Sequence, residues 1–194
     1  MIASASPVTA SASSTSAVRN ELQLSGSRYR SNLGRSRRDT SSVKVALQAL
    51  RRALEIVPGH RPSRLRTCWA LALDGQHQAA AELLRSIGPA SEADAPWFEF
   101  AALVAGASGD PQTAARHYEA LERLAASQRV PPWSLARAAA AARRHDAALT
   151  WLEAAAREHA GSLPFLWLTP AFDTLHAEAR FLAVAAQLPA PQAA

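Results

Sequence analysis

What this sequence lacks narrows its reading first: it has one cysteine, one lysine and one methionine in 194 residues. Cys68 alone supports neither a disulfide framework nor a thiolate metal site within one chain. No apolar run approaches the roughly 18 residues of a membrane span. Alternating runs of β-branched and aromatic residues, the mark of strands, are missing. The N-terminus has no apolar core of the kind a secretory signal needs. Its Ser/Ala/Arg-rich, acid-poor start has the composition of an organelle transit peptide and equally of a disordered leader, and the leader is the expectation. No GxSxG, Walker loop or GxGxxG occurs. The histidines, His60, His77, His117, His145, His159 and His176, show neither HExxH nor Cys/His zinc spacing. They are expected singly, on exposed helix faces or turns. Glu119 and Glu122 share a helix face, as solvated carboxylates also do. No enzyme is expected, and no metal, cofactor or small-molecule substrate.

What is present favours helix. Ala, Leu, Arg and Glu dominate after residue 45, and Gly is scarce inside the candidate helices, so the fold class is all-α. The pI near 10.6 suggests nucleic acid, but the charge is unevenly placed. Residues 1–44 carry Arg19, Arg28, Arg30, Arg35, Arg37, Arg38 and Lys44 against Glu21 and Asp39, whereas the remainder balances fourteen Arg with fourteen Asp plus Glu. The basic character therefore belongs to the tail, whose contacts with nucleic acid would be weak ones. The nearly lysine-free use of arginine points to coding bias rather than recognition chemistry.

The organising stretch is Asp110-Pro111-Gln112-Thr113-Ala114-Ala115-Arg116-His117-Tyr118-Glu119-Ala120-Leu121. It has a capping Asp, a Pro at the first helical position and apolar residues at helical spacing. Its apolar positions recur every 34 residues: Ala46, Ala80, Ala114 and Ala148; Leu50, Leu84, Tyr118 and Leu152; Ala53, Ile87, Leu121 and Ala155. That period marks a helix–turn–helix repeat. Helices are predicted over 42–57, 62–74, 78–87, 96–109, 111–126, 131–143 and 146–159. Gly75 and Gly109 mark two inter-helix turns in phase, and Arg143 stands where the third glycine would be. Residues 161–169 read as a non-helical apolar segment, followed by one final covering helix with Phe172, Leu175, Phe181, Leu182 and Leu188. The organisation expected is a disordered basic tail over 1–41 with a degenerate half-repeat around Leu33-Gly34, a repeat domain over 42–188, and a disordered C-terminus over 189–194.

The comb resembles the tetratricopeptide repeat. The small residue of that family's first helix is matched by Gly34, Cys68, Ala102 and Ala136, and its second-helix small residue by Ala46, Ala80, Ala114 and Ala148. Phe98 meets the first-helix aromatic, and Pro58 alone meets the closing proline. Val130-Pro131-Pro132-Trp133, Trp151-Leu152-Glu153-Ala154-Ala155 and Pro170-Ala171-Phe172-Asp173 are similar to the ending of repeat regions in bacterial winged-helix transcription regulators and related signalling proteins. Thr174 and Ala179 stand where that ending usually has prolines, so the last helix is expected to run unbroken. The resemblance implies an α-solenoid, a right-handed superhelix with a capping helix, in which Leu65, Trp69, Glu99, Leu103, Trp133 and Arg137 line a groove that binds a protein or peptide. Trp69 and Trp133 packing between units as core is the competing reading. The resemblance also implies a bacterial, cytoplasmic, non-catalytic interaction module or scaffold. The alternative is the sensor part of a transcription regulator without its winged helix. Cys68, in a small-residue slot, is expected to be buried packing.

Overall fold

In the computed structural model, residues 40–188 are described. The expectations for the basic tail, the half-repeat at Gly34 and residues 189–194 lie outside them, except that Thr40 and Ser41 are helical. The helices are α1 (Thr40–Ile56), α2 (Arg61–Leu73), α3 (His77–Ile87), α4 (Ala95–Ala107), α5 (Pro111–Ala125), α6 (Pro132–Ala141) and α7 (His145–Arg157). Two 3-10 helices (Leu163–Leu168 and Pro170–Leu175) and α8 (Ala179–Ala185) follow. Among the described residues there is no strand.

Short turns fold each second helix back on its first, giving the pairs α2–α3, α4–α5 and α6–α7. Each first helix also packs on the next, α2 on α4 and α4 on α6, and α6 packs on the second 3-10 helix; α1, a second helix by register, packs on α2 as α5 does on α6. In the three pairs the small residues of the comb sit where these elements cross. Cys68, Ala102 and Ala136 are fully buried, as are Ala80, Ala114 and Ala148. The crossing of α4 and α6 is tighter still: a Cβ added at Gly106 would lie 2.7 Å from the Ala141 carbonyl oxygen, closer than any side chain tolerates.

The turns inside the three helix pairs share one geometry, which the end of α7 repeats with His159 at φ +50°. The residue after the helix cap is left-handed, with φ +81° at Gly75, +81° at Gly109 and +57° at Arg143. The following amide reaches back five residues to a helix carbonyl: Gln76 to Leu71, Asp110 to Ala105 and Arg144 to Ala139, each at 2.9 Å. That bond satisfies a carbonyl the helix end would otherwise orphan. Arginine does this against its own sterics, since a Cβ in the left-handed region costs about 1–2 kcal/mol. Arg143→Gly is therefore expected to raise stability by about 0.5–1 kcal/mol, part of the relief being offset by the freer unfolded chain; an unchanged or lowered denaturant midpoint would contradict it.

Asp94 organises the loop between the first two pairs. Its carboxylate accepts from the Trp97 amide at 3.1 Å and the Ala90 amide at 2.8 Å, and pairs with Arg61, which also donates to the Gly88 carbonyl at 2.9 Å. Asp110 caps α5 through the Thr113 amide at 2.9 Å, and the Thr113 hydroxyl, first, and that amide hold its carboxyl below the usual carboxylate range.

The C-terminal region differs from expectation in two ways. Residues 163–168 form a 3-10 helix rather than a non-helical stretch, and the single covering helix is broken into Pro170–Leu175 and α8. At about 100° per residue, an unbroken helix would put Phe172 and Phe181, nine apart, on opposite faces. Both are fully buried, with ring centroids 6.4 Å apart. Bringing them to one side requires the break, which falls at Glu178, in extended backbone. Trp167 and His176 complete the cluster, their centroids 5.1 and 5.0 Å from Phe181.

Candidate partner-binding face

The six groove candidates occupy two registers of the comb, one on each side of a line crossing α2, α4 and α6. Leu65, Glu99 and Trp133 form one; Trp69, Leu103 and Arg137 form the other. The stacking of the first helices brings them together, but most of them lie beneath the surface. Leu65, Glu99, Leu103 and Trp133 are buried, while Trp69 is half-buried. Leu65 and Leu103 form a small core with Phe100. Trp133 meets Phe172 of the second 3-10 helix edge to face, centroids 5.3 Å apart at 80°. Of the six, a ligand approaching this face meets Trp69 and the edge of Arg137.

Arg137 is the centre of the arrangement. Its Nη1 donates to Glu99 Oε1 at 2.7 Å, and the two side chains are 13% and 9% exposed. The guanidinium carbon lies 4.5 Å from the Trp69 ring centroid and 5.5 Å from that of Phe100. Burial pulls the guanidinium pKa down, the Glu99 charge opposes that, and the like charge of Arg66 adds to the depression. Ion pair and ring stacking together replace part of what water would have given the cation, while its buried Nε makes no hydrogen bond. The result ties α6 to α2 across α4. Phe100 and Arg66 were not singled out in the sequence. They share a register with Ser134, and three such unlike residues carry no periodic signal.

A second aromatic group lies on α4 and α5. Trp97 is edge to face with Phe98 at 5.3 Å and with His117 at 5.4 Å. Burial lowers the His117 pKa. On the outer side, Tyr118 Oη donates to Glu122 Oε1 at 2.5 Å and accepts from Trp151 Nε1 at 3.2 Å. Burial, first, and the Glu122 carboxylate push the phenol up to about 12. Glu119 lies 3.5 Å from Arg144. Glu119 thus reaches the next helix pair, whereas Glu122 bonds Tyr118 of its own helix.

His176 departs from the expectation of exposed histidines: it is buried between Trp167 and Phe181, because the broken C-terminal helix turns it inward. His117 is half-buried, while His60, His77 and His159 are exposed. Cys68 is fully buried, its Sγ 3.3 Å from the Arg64 carbonyl oxygen, and desolvation pushes the thiol up to about 11. Among the described residues no group of three His, Cys, Asp or Glu side chains is placed to hold a metal ion, and no helix is long and apolar enough to cross a membrane. Compared with known proteins, this chain matches no family model, no curated protein and no solved structure.

Proposed function

We propose that the chain is a non-catalytic protein-interaction module of the tetratricopeptide type, an α-solenoid that offers its first-helix face to a peptide or helix. The observation that carries this reading is the equal depth of one small residue in each of the three helix pairs. Ala80, Ala114 and Ala148, spaced by 34 residues, are each fully buried at a helix crossing. Such regular nesting supports a stack whose differences are on its surface. On the first-helix face, what remains open is the Trp69 ring, the edge of Arg137 and the exposed Arg66. An aromatic ring beside two guanidinium groups suits a peptide with an apolar anchor next to a carboxylate.

Selection of a displayed random-peptide library on the immobilised full-length chain tests this. Enriched peptides are expected to carry an apolar side chain beside an acidic one, and to lose binding with Trp69→Ala and with Arg66→Glu. Arg66 is exposed, so its charge reversal leaves the fold intact. Absence of enrichment, or binding unaffected by both changes, would overturn the reading.

A further inference from the structure

The large apolar side chains that are exposed among the described residues sit at the two ends of the stack and nowhere between. Val45, Ile56 and Val57 are 63%, 81% and 50% exposed on the first layer; Phe165 and Leu168 are 58% and 54% exposed on the last. The first-layer group is a continuous helix face. Val45, Ala46, Ala49, Ala53 and Ile56 fall within about 100° of one another around α1. Ala46 belongs to the comb, and its equivalents Ala80, Ala114 and Ala148 are fully buried, yet Ala46 is exposed. In the later pairs the preceding helix returns through a left-handed turn at Gly75, Gly109 or Arg143 to cover this position. The equivalent residue of the first unit is Ser41, which is helical, so no such turn is made there.

Charge separates the same two ends. Helices α1 and α2 carry Lys44, Arg51, Arg52, Arg61, Arg64 and Arg66 against Glu55 alone. Residues 74–188 carry thirteen carboxylates against nine arginines. From α7 onward (145–188) Asp146, Glu153, Glu158, Asp173 and Glu178 stand against Arg157 and Arg180; Arg180 holds Glu153 with contacts of 2.7 and 2.9 Å, and Glu158 lies 3.9 Å from Arg129. Terminal layers of stacked repeats ordinarily turn a polar face outward. Here each end keeps apolar side chains, and the two ends bear opposite charge.

We propose that the occupant of the α1 face is a second copy of this chain, bound head to tail through its last layer around Phe165 and Leu168. The acidic rim of one copy meets the basic rim of the next, and the alanines of α1 let the backbones approach closely. The contact is heterologous, so it builds short filaments, or a ring if the rotation closes. Arg66 belongs both to this basic end and to the Trp69–Arg137 face, but Ile56 and Phe165 lie outside that face, so their variants distinguish this result from the peptide selection.

Sedimentation velocity of the full-length chain over a concentration series tests the proposal. The weight-average mass is expected to rise with concentration, and the rise to shrink as salt is increased to about 1 M, where exposed charges are screened within about 3 Å. Ile56→Asp and Phe165→Asp alter exposed side chains, so each variant should keep the parent melting curve while sedimenting as a monomer. Mixing the two variants should restore a dimer, because one retains a free α1 face and the other a free last layer. A chain that is monomeric at every concentration, a Phe165→Asp variant that still associates, a mixture that stays monomeric, or association indifferent to salt would each overturn it.

Discussion

Trp133→Ala is expected to cost about 3–5 kcal/mol, the range for truncating a buried large aromatic. The indole is buried at the junction of α6 with the second 3-10 helix, edge to face with Phe172, and Phe172 in turn packs on Phe181. Removing it leaves a void that three elements share, and a 3-10 helix has little internal hydrogen bonding to hold its place. At about 2–4 °C per kcal/mol for a chain of this size, the melting temperature should fall by about 6–20 °C. A thermal melt followed by circular dichroism checks this. A shift of under about 2 °C would mean that the indole lies on a surface and that the last layer is not anchored through it. The same burial makes Trp133 a poor probe of ligand capture and leaves Trp69 as the better one.

Glu99→Leu should be of similar size, for an electrostatic reason. It strands the Arg137 guanidinium at a site where the side chain is 13% exposed. Breaking one side of a buried ion pair typically costs about 3–5 kcal/mol, because the remaining charge has neither partner nor water. Contacts with Trp69 and Phe100 offset part of that. The decisive variant is the double one. Glu99→Leu with Arg137→Leu removes both charges and fills the space with apolar atoms, and should recover most of the loss in urea denaturation. A single change costing under about 1 kcal/mol would place the pair among solvated surface bridges. A double variant no better than the single would show that the site depends on the arginine's contacts with the rings and not on charge balance.

Much of the architecture was legible because it repeats. Each of α2 to α7 lies within a few residues of its predicted span, since the capping Asp110, the prolines at helix starts and the turn glycines Gly75 and Gly109 are local signals. The last layer was not legible. Whether residues 170–185 form one helix or two depends on where Phe172 and Phe181 must go, and only the α6 surface decides that. Four of the six groove candidates, Leu65, Glu99, Leu103 and Trp133, lie buried, a depth that periodicity does not give. Periodicity says which residues share a side of a helix; it does not say that Arg137 is long enough to cross α4 and stack on Trp69. The exposed first layer was invisible for the opposite reason. Ala46 has the same sequence signature as Ala114, and only the covering element differs.

That contrast provides the most direct test of the account. Ala46 and Ala114 are the same position of the comb, the first exposed and the second fully buried at a helix crossing. Ala114→Leu and Ala46→Leu should be compared by urea denaturation at a dilution where the chain is monomeric. The account predicts that Ala114→Leu loses about 1–3 kcal/mol by overpacking, while Ala46→Leu stays within about 0.5 kcal/mol of the parent. Equal losses at the two sites, or a neutral Ala114→Leu, would contradict the nesting of helix pairs on which everything else depends.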